Sequence, residues 1–434
     1  MSSEKNIMKH ATQGLTLLLA FGLSACQSLP DQAKPETLGE LDIHMMDANS
    51  QPSTLNVPQA GRYRVTLANH CPVDHEVVFS NGRRLKVQGG RPLQTELDVP
   101  SSGLSFHCSL PGHRDMGMRG SIAVAGQAVA EAKPQAAPAT AAPAAADYAV
   151  YDPKAPPLML GQTHDIDLVA IEAPVAIAKG VAQQLWTYNG AVPGPVIRVK
   201  VGDTIRVHFK NPASNTLPHS VDFHASQVAW NDEMTSIKPG EEKLYEWRAD
   251  YAGVWMYHCG TNPALHHIAS GMYGMVIVEP REGLAPVDHE FALVQSEFYT
   301  GSHGDITDLH KAGNDKPDYV VFNGVANQYK EHPIPVETGK KVRVFVMNAG
   351  PNEDSAFHIV GTIFNRVIKE GMELKPGNTG NWGSQAVDLG PSQGAIVEFT
   401  TAEDGLYPIV THAFNFVGKG ALGLLKAGDG EPKN

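Results

Sequence analysis

The chain has 434 residues, of which 42% are hydrophobic, enough for several cores. Its formal net charge of −12 excludes an ordinary nucleic-acid binder, because no basic stripe is present to neutralise phosphates. Short runs rich in Val, Ile, Tyr and Phe recur between Gly, Pro, Asn and Asp, while long helical stripes are few. This pattern predicts an all-β chain built from sandwiches of short strands.

The first 26 residues have the pattern of an export signal. Lys5 and Lys9 precede the apolar run LTLLLAFGL, which is too short to be a permanent membrane span. The run ends in LSAC, which resembles the lipobox of bacterial lipoproteins and implies that Cys26 is lipidated. Gln27 after it implies sorting to the outer membrane. The alternative is a plain secretory signal with an incidental cysteine, and in both cases the protein is exported.

Composition divides the remainder into modules. Residues 126–147 are rich in Ala and Pro and lack large apolar side chains, so they are expected to form an extended linker. They separate a module at 39–125, of a size typical of a small β-sandwich, from a longer block. A Pro- and Gly-containing connection in VIVEPREGLAPVDHEFALV then predicts two further domains, at 148–280 and 285–428.

An internal repeat supports three related modules. The first ends in SGLSFHCSLPGHRDMGMRGSIAV and the second in AGVWMYHCGTNPALHHIASGMYGMVIV. Both contain Gly, an aromatic–His–Cys triplet, a variable loop, His, four residues, Met, Gly and an apolar strand. The third module ends in DGLYPIVTHAFNFVGKGALGLLKA, which keeps one histidine but neither Cys nor Met. The three modules are therefore predicted to share a fold and to differ at their metal positions.

The repeated motif carries the ligands of a blue-copper electron-transfer site, namely a thiolate, two imidazoles and a weak thioether. A second match, His-x-Val-x-Phe, supplies one upstream histidine to each of the first two modules. The candidate ligands in the first module are His75, Cys108, His113 and Met118. Those in the second module are His219, Cys259, His267 and Met272.

Strand geometry predicts a second site beside the second of these sets. Side chains alternate between the faces of a strand, so His219 and His224 are expected on opposite faces. Asp222 and His224 then share a face, and the neighbours His258 and Cys259 point in opposite directions. One face therefore collects His219 and Cys259, whereas the other collects Asp222, His224 and His258.

The third module supplies one more imidazole, because its VTHAF segment places His412 at the position that matches His258. Three imidazoles with an open fourth position are typical of a catalytic metal site. The first module has Val78 and Ser80 where the second has its aspartate and histidine, which leaves His107 alone. That module is therefore predicted to carry electrons only.

With these motifs in place, residues 148–428 resemble the copper-containing nitrite reductases, and in particular their short-loop class, which includes outer-membrane lipoproteins. The N-terminal module, with its CSLPGH…GM ligand loop, is similar to the tethered domain of three-domain variants. The resemblance implies an all-β fold of three cupredoxin-like Greek-key β-sandwiches.

The resemblance also implies roles for individual residues. The type 1 copper of the core would be held by His219, Cys259, His267 and Met272. The type 2 copper would be held by His224, His258 and, from a neighbouring subunit, His412. Asp222 matches the catalytic aspartate, and His358, in the segment FHIVG, matches the catalytic histidine. Val360 stands in the substrate pocket where the family often has isoleucine. With the N-terminal type 1 site, three coppers are expected per chain.

The implied activity is the one-electron reduction of nitrite to nitric oxide by a homotrimer. Electrons would come from an external donor such as a c-type cytochrome or a small cupredoxin, with the N-terminal cupredoxin as a tethered donor. The protein would lie on the periplasmic side of the outer membrane, attached by its N-terminal lipid only, or in the periplasm. A laccase-like oxidase would need several His-x-His pairs, and the chain has none. A non-catalytic copper carrier or store is the alternative, and it leaves the second histidine set unexplained.

Overall fold

A computed structural model describes residues 37–46, 49–70, 74–109, 114, 118–125, 148–301, 306–374 and 382–431. Cys26, His113 and the predicted linker at 126–147 lie outside the described residues. Within the described ranges, no helix is long and apolar enough to cross a membrane.

The first sandwich consists of nine strands in two sheets, with the orders β2-β1-β4-β7 and β3-β9-β8-β5-β6. In chain order they are β1 (Glu40–Met46), β2 (Asn49–Gln51), β3 (Thr54–Val57), β4 (Gly61–Asn69), β5 (His75–Phe79), β6 (Arg84–Val87), β7 (Pro92–Val99), β8 (Leu104–Cys108) and β9 (Arg119–Val124). Every second residue of β5 and β8 is buried, so His75 and Cys108 both face the interior.

The second sandwich pairs sheets of order β11-β10-β13-β15 and β12-β17-β16-β14. Its elements are β10 (Thr163–Ala178), β11 (Val181–Tyr188), β12 (Ile197–Lys200), β13 (Thr204–Lys210), β14 (Asp222–Phe223), β15 (Glu242–Arg248), β16 (Gly253–His258), helix α1 (Ala264–Ala269) and β17 (Tyr273–Glu279).

The third sandwich has sheets of order β19-β18-β21-β26-β23-β24 and β20-β28-β27-β22-β25. Its elements are β18 (His289–Phe298), α2 (Leu309–Ala312), β19 (Tyr319–Phe322), α3 (Gln328–Glu331), β20 (Ile334–Val336), β21 (Lys341–Gly350), β22 (Ser355–Ile359), β23 (Arg366–Lys369), β24 (Met372–Glu373), β25 (Val387–Leu389), β26 (Gly394–Thr400), β27 (Gly405–Thr411), a 3-10 helix (Phe414–Lys419) and β28 (Leu422–Ala427).

The three sandwiches share one pairing scheme. In the first sheet of each sandwich, the first strand of the sandwich pairs in parallel with a later strand. These pairs are β1 with β4, β10 with β13 and β18 with β21. In the second sheet the parallel pairs are β3 with β9, β12 with β17 and β20 with β28. The remaining pairs are antiparallel. The predicted all-β class, with three related sandwiches, is confirmed.

The second and third sandwiches pack against each other. One cluster of buried side chains includes Val254 and Met256 of β16 together with Phe345 and Ile396 of the third sandwich. Strand β16, which leads to the predicted ligands His258 and Cys259, therefore packs with one face against the third sandwich. Burial of each such side chain contributes on the order of 1.5–3 kcal/mol.

Candidate metal centres

Three predicted ligands meet inside the second sandwich. His219 Nδ1 lies 3.2 Å from His267 Nδ1, and Cys259 Sγ lies 3.3 Å from the same nitrogen. The three side chains are 0–3% exposed. At such separations, two imidazole nitrogens and one sulfur can bind a single ion, as in the trigonal sites of blue-copper proteins. This donor set fits a type 1 copper.

Short backbone contacts set the positions of these ligands. The Cys259 N–H donates to the Met272 carbonyl over 3.1 Å, and the Met272 N–H donates to the His267 carbonyl over 3.1 Å. The loop between cysteine and methionine is thereby closed on itself, with His267 in α1. Met272 is fully buried and belongs to the same core cluster as Cys259, so its thioether lies on the same side of the sheet.

The protonation states at this centre favour metal binding. Burial alone raises the pKa of Cys259, but hydrogen bonds from His219, Thr261 and the Ser220 backbone outweigh it, so the pKa is lowered. Burial lowers the pKa of His267 to about 3. A thiolate and a neutral imidazole are the forms in which these side chains ligate a metal.

The first sandwich repeats part of this arrangement. His75 Nδ1 lies 3.7 Å from Cys108 Sγ, and the Cys108 N–H donates to the Met118 carbonyl over 2.8 Å. The second contact reproduces the cysteine–methionine contact of the second sandwich. The fourth predicted ligand, His113, lies outside the described residues.

A second cluster lies on the other face of β16. His224 Nε2 and His258 Nε2 are 2.9 Å apart, and Asp222 Oδ2 lies 3.9 Å from His258 Nε2. Asp222 is the direct antiparallel partner of His258. The Cys259 carbonyl lies 3.0 Å from His258 Nδ1, so a proton on Nδ1 donates to it and Nε2 is left to bind a metal.

The third sandwich holds the other two predicted residues of this centre. The rings of His358 and His412 are 5.0 Å apart between centroids, and His358 Nδ1 donates to the Gln385 carbonyl. Among the described residues of one chain, neither histidine belongs to the cluster of Asp222, His224 and His258. Val360, two residues after His358, is 39% exposed.

Two residues beside the first cluster were not predicted from the sequence. Glu172 in β10 accepts a hydrogen bond from His219 Nε2 over 3.1 Å. Burial raises the pKa of this carboxyl, but hydrogen bonds from His219, Thr216 and Leu217 outweigh it and lower the pKa to about 2. The Trp186 ring lies 4.6 Å from the His267 ring. Neither residue belongs to a motif whose spacing could have revealed it.

Two clusters of possible metal ligands thus lie back to back in the second sandwich, and the multicopper oxidase family model matches residues 170–283. A copper-containing nitrite reductase of Neisseria gonorrhoeae is 41% identical over 269 residues, which are 60% of this chain and 67% of that protein. The chain belongs to the copper-containing nitrite reductase family and is an enzyme of this type.

Other relatives agree. A copper-containing nitrite reductase of Alcaligenes xylosoxydans xylosoxydans is 30% identical over 261 residues, covering 55% of this chain and 78% of that protein. The solved copper nitrite reductase of Nitrosomonas europaea superposes with a TM-score of 0.57 at 35% identity, over 62% of this chain and 94% of that one. The predicted family and cupredoxin-type fold are thus confirmed.

Proposed function

We propose that this enzyme reduces nitrite to nitric oxide, taking up one electron and two protons and releasing water. The observation that carries the proposal is the covalent adjacency of His258 and Cys259, which belong to different clusters on opposite faces of β16. Copper bound at the two clusters supplies one-electron redox chemistry. The peptide bond between His258 and Cys259 would give an electron a short covalent route between the two clusters.

The proposed ligand sets combine the two clusters with the residues that the resemblance implies. The core type 1 copper would be held by His219, Cys259, His267 and Met272. The type 2 copper would be held by His224, His258 and His412. The N-terminal type 1 copper would be held by His75, Cys108, His113 and Met118. Full loading would then be three coppers per chain.

Asp222 and His358 are the proposed catalytic residues. Their side chains bind the nitrite oxygen by hydrogen bonds and deliver the two protons, as general acids must be within hydrogen-bond reach of the atom they protonate. Asp222 has 28% of its side chain exposed beside the histidine pair, which allows proton exchange with solvent. The Gln385 carbonyl fixes the His358 tautomer, so Nε2 is its proton-exchanging atom. Val360 lines the substrate pocket.

A closed homotrimer is proposed because His412 is separate from its two partner imidazoles within one chain. The neighbouring copy would supply it, so that the assembly and the active site form together.

The N-terminal sandwich is proposed to be a tethered electron donor, itself reduced by a c-type cytochrome or a small cupredoxin. Export and lipidation of Cys26 would place the enzyme on the periplasmic side of the outer membrane. Deletion of residues 27–147 is expected to preserve turnover with artificial reductants and to slow turnover with the physiological donor. Unchanged turnover with that donor would defeat the tethered-donor proposal.

The activity is tested by an anaerobic nitrite assay with nitric oxide detection, on wild type, Asp222→Asn and His358→Ala. Both variants are expected to lose most activity, whereas the exposed control Asp167→Asn is expected to keep it. Full activity in both variants would refute the assigned proton relay. Two coppers per chain without nitrite turnover would favour the alternative of a copper carrier or store.

A further inference from the structure

Glu172 is a buried carboxylate bound to a predicted copper ligand. It lies in β10, and its side chain is only 8% exposed. Four donors converge on its two oxygens: the Thr216 N–H at 3.0 Å, the Thr216 hydroxyl at 2.7 Å, the Leu217 N–H at 3.0 Å and His219 Nε2 at 3.1 Å.

These contacts hold His219 in two ways. The carboxylate accepts from the imidazole, and it also binds the backbone N–H groups of Thr216 and Leu217, which lie two to three residues before His219 in the chain. The other ring nitrogen of His219, Nδ1, is the atom directed at His267 and Cys259. A carboxylate that accepts from the outer nitrogen of a metal-binding histidine fixes both its tautomer and its orientation.

In the described part of the chain, no lysine or arginine forms an ion pair with Glu172, and a metal-bound His219 is a neutral imidazole that donates to it without balancing its charge. The negative charge therefore acts on the imidazole in a buried environment, where solvent screens it weakly. Such a charge favours the more positive of two oxidation states of a metal bound to that imidazole.

We infer that Glu172 is a positioning residue that sets the geometry and the reduction potential of the core type 1 copper. Its carboxylate clamps His219 with Nδ1 facing the metal and lowers the potential by stabilising the oxidised ion. This role rests on the type 1 site proposed above.

The test is a redox titration of the copper-loaded, full-length protein followed by its visible absorption. A Cys108→Ser background removes the contribution expected from the N-terminal sandwich. Glu172→Gln keeps the size of the side chain and its ability to accept, but it removes the charge. At a fixed solution potential, its ratio of reduced to oxidised copper is expected to rise about tenfold, a shift of ~59 mV for one electron.

Two further variants separate the clamp from other effects. Asp167→Asn removes the same charge from the same strand at a side chain that is 72% exposed, and the potential is expected to stay unchanged. Thr216→Val removes one donor from Glu172, which strengthens the pull of the carboxylate on His219, so the potential is expected to fall. Thr216 is exposed, and this variant supplies a folded test if Glu172→Gln is unstable.

A coloured Glu172→Gln protein with an unchanged potential would overturn the inference, as would a shift no larger than that of Asp167→Asn or a rise in Thr216→Val. Absence of type 1 absorption in the Cys108→Ser parent would instead defeat the type 1 assignment itself.

Discussion

His358 occupies in the third sandwich the register position that His224 occupies in the second. In the second sandwich Phe223 pairs with Tyr257, one residue before His258. In the third, Phe357 pairs with Thr411, one residue before His412. The ring centroids are 4.9 Å apart in the His224–His258 pair and 5.0 Å apart in the His358–His412 pair.

The two histidine pairs differ in the residue that stands opposite their second histidine. Asp222 stands opposite His258, whereas the equivalent position opposite His412 is Ala356, whose carbonyl accepts the His412 N–H over 2.8 Å. In the register of the described strands, the carboxylate opposite His258 therefore has no counterpart opposite His412. Each chain thus contributes two unequal halves to the proposed catalytic centre.

Mixing experiments test whether these halves come from different chains. His224→Ala and His412→Ala are each expected to abolish nitrite reduction. When the two variants are unfolded, mixed and reassembled, some sites combine an intact His224 from one chain with an intact His412 from the next. In a cyclic trimer assembled at random, roughly a quarter of the sites are intact, and about that share of activity should return.

The control mixture is His224→Ala with His258→Ala, because both of these defects lie in the same half of the site. That mixture is expected to stay inactive. Recovery in the control, or none in the first mixture, would contradict sharing of His412 between chains.

Serine variants of the buried Cys259 and Cys108 should separate the two proposed type 1 centres. Cys259→Ser replaces a soft thiolate by a hydroxyl, so the core centre loses its thiolate absorption and nitrite turnover falls by at least about 100-fold. Cys108→Ser removes a different part of the visible absorption, and the double variant removes all of it. A spectrum unaffected by Cys108→Ser would show that the N-terminal sandwich holds no type 1 copper.

The grouping of side chains into two clusters could be predicted from the sequence where the residues follow strand periodicity or lie close in the chain. Cys259, His267 and Met272 lie within one loop, and alternation along a strand assigned His219 and His224 to different clusters. His219 and His224 do lie in different clusters, although the regular strand between them is short, with only Asp222 and Phe223 in β14. His219 adds an isolated bridge to Ile237.

Residues that reach the centre from distant strands could not be predicted. Glu172 is 47 positions from His219, and a lone glutamate in the run VAIEAPVA has no spacing that marks it. Trp186 likewise lies against His267 through the packing of β11, which depends on the order of strands in the sheet. Such contacts follow from tertiary structure, which no local pattern encodes.

Glu297 should make the stability of the fold depend on pH. The residue is 1% exposed, and burial raises the pKa of its carboxyl from 4.5 to about 7. Between these values the folded chain binds a proton that the unfolded chain has released, so stability falls as pH rises. The loss between pH 5 and pH 8 should be about 2.5 kcal/mol. Glu297→Gln, measured by chemical denaturation across this range, should lack this component.

The exposed Glu282→Gln is the control for this experiment, and its pH profile should follow that of wild type. A profile of Glu297→Gln that also parallels wild type would assign the pH dependence to other groups.

Gly274→Ala should destabilise strand β16, which ends in His258 directly before Cys259. Gly274 of β17 pairs with Tyr257 of β16, and a Cβ there would lie 2.2 Å from the tyrosine Cζ. The fully buried ring has no room to retreat, because its hydroxyl donates to the Pro195 carbonyl over 2.8 Å and Phe223 stacks on it. Overpacking of this kind costs about 1–3 kcal/mol. Tyr257 precedes His258, so copper content should fall together with the thermal midpoint.

Gly418→Ala is the control, because nothing lies within 4 Å of a Cβ at that position. This variant should change neither the copper content nor the thermal midpoint. If Gly274→Ala also changed neither, the close packing of Tyr257 against Gly274 would not be needed for the stability of the site.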